Sequence, residues 1–210
     1  MGERLRIDHA VIAVRDLEAT AARLLREFGL DAVEGGVHAA WGTANRIVPL
    51  GPAYVELIAV VDPVVAGASP FGVVVAEAAA GGDRTFTYCV ATDDLDTVAD
   101  RLGLEIVEGE RRRPDGTLLR WRSAGLEDPR REPWMPFFIA WETPPTEHPG
   151  RERVWHRVEP IGISGIDVAG DGPRLRDWLG PTSLPVHLVP GDPGVKAVRI
   201  ATTAGELRLP

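Results

Sequence analysis

Two residues stand where their chemistry calls for an explanation. His9 and Glu56 each interrupt an apolar, alternating run: Ile7, His9, Val11 and Ala13 share one face of the first, and Tyr54, Glu56, Ile58 and Val60 share one face of the other. An imidazole and a carboxylate amid aliphatic neighbours are costly unless they are paired, hydrated or bound to a metal. Together they suit a divalent ion of borderline to hard character, such as Zn, Fe, Mn, Ni or Co. Without a metal, the two side chains can hydrogen-bond within a ligand pocket, with Glu56 as a general base. Both readings stand on the same residues.

Around this pair lie residues that suit a small-molecule site. Gly42-Thr43-Ala44-Asn45 can cradle a ligand through backbone N–H groups and the Asn45 amide, or serve as a plain hairpin connector. Trp41, Trp121, Trp134 and Trp141 can stack on a flat substrate, although aromatic residues in strands, Phe137 and Phe138 included, also serve as core. Arg46, Arg120 and Arg122 can meet a carboxylate or simply solubilise a strand face. Cys89, flanked by apolar neighbours with no histidine nearby, reads as a small hydrophobe. His148, His156 and His187 read as surface or structural residues. Arg111-Arg112-Arg113 precedes the turn signal Pro114-Asp115-Gly116 and reads as a solvated hairpin corner in preference to the alternative, an anion-binding patch. No GxGxxG, P-loop, GxSxG or CxxC signature is present, so nucleotide, hydrolase-triad and structural-zinc readings lack their basis.

The elements that must carry these residues follow from a repeat. Asp16-Leu17-Glu18-Ala19-Thr20-Ala21-Ala22-Arg23-Leu24 matches Asp94-Leu95-Asp96-Thr97-Val98-Ala99-Asp100-Arg101-Leu102, and Gly29-Leu30-Asp31-Ala32-Val33-Glu34-Gly35 matches Gly103-Leu104-Glu105-Ile106-Val107-Glu108-Gly109. In the first copy Asp16 caps a helix, Leu17, Ala21, Leu24, Leu25 and Phe28 form one apolar stripe, and Gly29 ends it. Strands are expected at 33–41, 46–50 and 54–61, which makes the module βαβββ over residues 5–61. A connecting helix at 69–80 ends at Gly81-Gly82, and a second module spans 84–143 with later strands at 117–123 and 135–141. A polar, proline-rich linker covers 144–158. A third, partial βαββ unit occupies 160–210, with strand-like 161–168 and 195–202 around a helix at 173–179, and is expected to pack onto the same sheet system as one 1–210 domain.

Composition narrows the function class. Acidic residues outnumber basic ones by 31 to 23, a net charge of −8, which disfavours a nucleic-acid partner because phosphate binding draws on clustered Lys and Arg. A single cysteine excludes an internal disulfide and fits a reducing compartment. Met1-Gly2-Glu3-Arg4 leads straight into a strand pattern without a signal-peptide profile, and no apolar run reaches the roughly 20 residues of a membrane span. A cytoplasmic protein with no membrane partner is expected. The Arg, Ala, Gly and Pro richness, with Lys196 the only lysine, suggests a GC-rich bacterial origin.

The runs Ile7-Asp8-His9-Ala10-Val11-Ile12-Ala13-Val14-Arg15-Asp16-Leu17, Gly35-Gly36-Val37-His38, Gly42-Thr43-Ala44-Asn45 and Tyr54-Val55-Glu56-Leu57-Ile58 carry a resemblance. Over about residues 5–145 the chain resembles the glyoxalase-like domain family of the vicinal oxygen chelate superfamily. The resemblance implies an α+β fold in which paired βαβββ modules form a curved half-barrel around a metal or ligand cavity. Family metal positions fall on the first and fourth strands of each module, onto His9 and Glu56 in module one. In module two they fall on Thr87 and Phe137, neither a good ligand. His38 is then the candidate third ligand, giving a His9, His38, Glu56 facial trio with open positions. Trp41, Thr43, Asn45, Thr87 and Phe137 become the expected pocket wall. The implied activity is that of a lyase, isomerase or dioxygenase acting on a compact oxygenated small molecule; the alternative is a metal-free binding or resistance protein. A homodimer is implied by the same resemblance.

Overall fold

The computed structural model describes residues 4–113, 115–128 and 130–209. Residues 1–3 and Pro114, to which the leader and turn expectations partly apply, lie outside them. The first module runs β1 (Leu5–Ala13), α1 (Leu17–Phe28), β2 (Val33–His38), β3 (Thr43–Pro49) and β4 (Tyr54–Val60). Two helices follow, α2 (Pro63–Gly67) and α3 (Pro70–Ala80), and then the second module: β5 (Arg84–Thr92), α4 (Leu95–Leu102), β6 (Ile106–Arg112), β7 (Leu118–Ala124) and β8 (Phe137–Trp141). Their eight strands form one sheet in the order β2-β3-β4-β1-β5-β8-β7-β6, curved until β2 and β6 approach each other.

The repeated motif acts as matched capping. Asp16 accepts from the Ala19 N–H and Asp94 from the Thr97 N–H, while Gly29 and Gly103 close their helices in the left-handed region at φ 72° and 62°. Both helices press their apolar stripes onto the convex face of the sheet, where Leu24, Leu57, Tyr88, Leu95 and Phe138 are fully or almost fully buried. α3 instead covers the concave side, packing Phe71 and Val75 against Val11, Ile58, Phe86 and Ile139. No helix among the described residues is long and apolar enough to cross a membrane.

Three expectations change here. Thr43-Ala44-Asn45 is strand, not turn: residues 39–42 make the connection and β3 starts at Thr43. The stretch 144–158 is no free linker, because its prolines set two short 3-10 turns, Pro145–Glu147 and Pro149–Arg151, that are tied to the sheet. Gly51 N–H donates to Gly150 O at 2.8 Å, Arg113 pairs with Glu152 at 2.7 Å, and His156 bonds both Asp31 N–H and Pro49 O. Finally, the C-terminal unit does not extend the large sheet. β9 (Pro160–Ala169), α5 (Gly172–Leu179), β10 (Val186–Leu188), β11 (Gly194–Thr202) and β12 (Gly205–Leu209) build their own sheet, ordered β10-β9-β11-β12. Its Ile166, Val168, Val198 and Ile200, with Trp178 of α5, join the convex-side core.

Candidate functional site

The sheet register brings the functional strands together. β1 and β4 run parallel with His9 opposite Tyr54 and Val11 opposite Glu56, so the imidazole and the carboxylate reach the same concave face one pleat apart. His9 Nε2 lies 3.8 Å from Glu56 Oε2. β5 and β8 repeat this geometry: Cys89 opposes Phe137 as Val11 opposes Glu56, which places Thr87 and Phe137 at the positions matching His9 and Glu56.

A bulge in β1 supplies what the alternation pattern missed. Against β5 the register slips between Ile7 and His9, so Asp8 is the extra residue, and Ile7 packs with Ala10 and Ile12 in the convex core instead of sharing the face of His9. Asp8, only 1% exposed, is thereby turned into contact with its neighbour. Its Oδ2 lies 2.7 Å from His9 Nδ1, and its Oδ1 takes Trp141 Nε1–H at 3.0 Å and meets His148 Nε2 at 3.1 Å. Burial by itself would raise the Asp8 pKa; the hydrogen bonds from His148 and His9, with their adjacent charge, outweigh it and hold the carboxyl well below its ordinary 3.8. An ionised carboxylate only accepts, so His9 carries its proton on Nδ1 and turns Nε2 to the cavity. Likewise His148 Nδ1 accepts from Gly150 N–H, so His148 donates from Nε2. His148 is therefore a half-buried structural residue of the strap and not a surface one. Tyr54 stacks on the other side of His9, ring centroids 4.4 Å apart, and burial first, then Asp8 and Glu56, pushes its phenol pKa far up.

Arg111 also departs from its sequence pattern. As a member of a charge run it suggests a solvated corner, but β6 extends to Arg112 and strand alternation sends Arg111 into the barrel, 7% exposed, while Arg112 faces out. Arg111 Nη1 donates to Asn45 Oδ1 at 3.1 Å, and Asn45 Nδ2 donates to Glu56 Oε1 at 2.5 Å. This chain crosses from module two to module one over Gly35, where a Cβ would lie 2.6 Å from Arg111 Nη1 and would also collide with Asn45 Oδ1. Gly35 leaves the gap through which the two side chains meet.

These residues line a partly enclosed cavity on the concave face of the sheet, open on one side to solvent. His9, Tyr54, Glu56, Asn45, His38 and Arg111 supply its polar wall, and Trp41, Phe71, Trp121, Phe137 and Trp141 its aromatic one. Of the expected pocket residues, Trp41, Asn45 and Phe137 line it. Thr43 and Thr87 do not: the Thr43 hydroxyl is spent on His38 Nδ1 at 3.1 Å, and Thr87 is sealed beneath Arg131, which donates to its Oγ1 at 3.0 Å.

The expected metal trio is not gathered. Among the described residues one group of three His, Cys, Asp or Glu side chains places its ligand atoms within 4.8 Å of one another, and it is Asp8, His9 and Cys89, without His38 or Glu56. His38 faces Thr43 and Trp41, and burial, together with Arg111, lowers its pKa against the opposing pull of Glu56. A metal at Asp8, His9 and Cys89 would have to displace three donors from Asp8 and strip the proton from a thiol whose pKa is pushed well up, first by burial and then by Asp8 and Glu56. As arranged, neither trio fits a resident divalent ion.

A family model described as a glyoxalase-like domain matches residues 7–181. No curated protein matches the chain. Among solved structures, a hypothetical protein from Staphylococcus aureus superposes with a TM-score of 0.65 at 17% identity, covering 98% of this chain and 85% of its own, and so shares the fold with the C-terminal sheet included. The methylmalonyl-CoA epimerase from Mycobacterium tuberculosis gives a TM-score of 0.45 at 22% identity over 67% of this chain and 89% of its own. A Streptomyces coelicolor methylmalonyl-CoA epimerase variant gives 0.48 at 20% over 66% and 98%.

Proposed function

We propose that this chain, which belongs to the glyoxalase-like domain family of the vicinal oxygen chelate superfamily, is a small-molecule enzyme that moves a proton on its substrate without a resident metal. One observation supports this above the rest: buried, ionised Asp8 takes the Nδ1–H of His9, leaving Nε2 beside Glu56 Oε2 at the cavity wall. With Oε1 of Glu56 held by Asn45, Oε2 is the oxygen free to accept a proton. In this reading Glu56 Oε2 removes a proton from a carbon next to a carbonyl. The electron pair passes to the carbonyl oxygen, and His9 Nε2 and Glu56 exchange protons with the resulting enolate as it collapses to the isomer. A group in such a role contributes about 10²–10⁴-fold to rate.

The test is solvent exchange. Chelator-treated protein in deuterium oxide is incubated with hemithioacetals of 2-oxoaldehydes, small thioesters and 2-oxo acids, and deuterium at the α-carbon is followed by NMR. The expected result is incorporation into one of these classes that survives chelation and falls about 10²–10⁴-fold in Glu56→Gln. Exchange that appears only on adding Zn, Mn, Ni or Fe(II), or no exchange in any class, contradicts it. A second reading, a metal-free binding protein, is favoured by Phe137 standing where a second carboxylate would complete a ligand set. Saturable binding with no exchange would select it.

A further inference from the structure

Arg111 is a buried charge without a counter-charge in contact. Its one hydrogen bond goes to Asn45 Oδ1, a neutral acceptor, and among the described residues it has no carboxylate within the 4.0 Å of an ion pair. Arg131, the other arginine turned into this half of the molecule, is served better: it donates to Thr87 Oγ1, Leu126 O and Met135 O. A guanidinium has five N–H donors and stays protonated, so most of the Arg111 fork is unspent, and because none of its nitrogens is sealed from solvent without a partner, those donors are open to the cavity that Arg111 lines. Gly35 preserves the approach that holds this fork in place. Facing it across the same cavity are the aromatic rings of Trp41, Phe71, Trp121 and Phe137.

We propose that Arg111 is the receptor for the carboxylate of the ligand, and that the cavity takes small, flat, apolar monocarboxylic acids whose ring or unsaturated chain lies between the aromatic side chains. The planar fork matches a carboxylate in bidentate geometry. A monoanion fits better than a dianionic phosphate, because among the described residues Arg111 alone of the arginines and lysine lines the cavity, and Glu56 already places a negative charge there. Asn45, bonded to both, keeps the anion subsite and the proton-transfer pair apart. This inference rests on the reading that the cavity holds the substrate, and it deepens that reading by naming the substrate class.

Binding is measured by calorimetry and by the fluorescence of Trp41, Trp121 and Trp141, with benzoate, phenylacetate and cinnamate as probes against benzamide, phenylacetamide, cinnamamide and phenyl phosphate. The expected result is saturable binding of at least one acid, with its amide weaker by about tenfold or more, the equivalent of about 1.4 kcal/mol. Arg111→Met should abolish the preference of acid over amide, and Arg111→Lys should keep part of it, while Arg113→Met, outside the cavity, leaves it unchanged. No binding of any acid, acids bound no better than amides by wild-type protein, tighter binding of phenyl phosphate, or an acid preference that survives in Arg111→Met overturns the proposal. The wild-type comparison decides even if the Arg111 variants fail to fold. Because binding is read without turnover, a protein that binds acids but exchanges no deuterium refutes only the proton-transfer reading; one that exchanges deuterium but ignores the acids refutes only this one.

Discussion

Replacing Asp8 with asparagine removes the charge on which three donors converge while keeping the size of the side chain. His9 Nδ1, Trp141 Nε1 and His148 Nε2 all point at its two oxygens at 2.7–3.1 Å, and the group is 1% exposed. Asparagine offers one acceptor oxygen and sets an NH₂ against at least one of those N–H groups. A hydrogen bond to a charged partner is worth about 1.5–3 kcal/mol, and a buried donor left without an acceptor costs about 1–3 kcal/mol. One weakened and one lost bond therefore predict a destabilisation of about 2–5 kcal/mol at neutral pH, read as a shift of the urea midpoint. The folded-state pKa of Asp8 is depressed, so its contribution is complete above the unfolded value of 3.8 and is lost as pH falls toward the lower folded value. The gap between wild type and Asp8→Asn should then be constant from pH 7 to about pH 5 and shrink below about pH 4. Equal stabilities at pH 7, or a gap that does not narrow on acidification, would refute the reasoning.

Further substitutions test other joints. His148→Ala takes one donor from Asp8 and the acceptor from Gly150 N–H, and should cost about 1.5–3 kcal/mol in thermal or urea unfolding while opening residues 144–158 to limited proteolysis. Gly35→Ala should drive Arg111 from Asn45; the expected outcome is a loss of ligand affinity with about 1–3 kcal/mol of destabilisation, checked by calorimetry and chemical unfolding. At Gly109 an added Cβ would meet the indole of Trp121, so Gly109→Ala should displace that cavity wall, cost about 1–3 kcal/mol and change the tryptophan emission.

What could be read from the chain and what could not divide along a physical line. Asp16 and Gly29, or Asp94 and Gly103, act within a few residues, so the helices and their limits were legible. The common face of His9 and Glu56 was legible because both lie on two-residue alternations and their strands are neighbours in parallel register; at 3.8 Å the two do not hydrogen-bond, and their partners Asp8 and Asn45 were not legible. The bulge at Asp8 was not legible, because it depends on the register against β5, some eighty residues on. Arg111 was hidden because three identical residues in a row show no alternation, and only the length of β6 decides which one turns inward. The proline-rich strap was misread because composition reports the absence of a regular element and says nothing about tethers such as Gly150 and His156. Those tethers hold His148 over Asp8, so the support of the candidate site comes from the segment whose composition looked least structured.

The central claim is that His9 is fixed by Asp8 with its Nδ1 protonated and its Nε2 available in a metal-free cavity. Nitrogen-15 NMR of the imidazole in chelated protein at alkaline pH tests it most directly. The account predicts a slowly exchanging proton on Nδ1, none on Nε2, loss of that pattern in Asp8→Asn, and a spectrum unmoved by stoichiometric Zn. A proton on Nε2 instead, or a His9 signal that shifts as Zn binds, would contradict it.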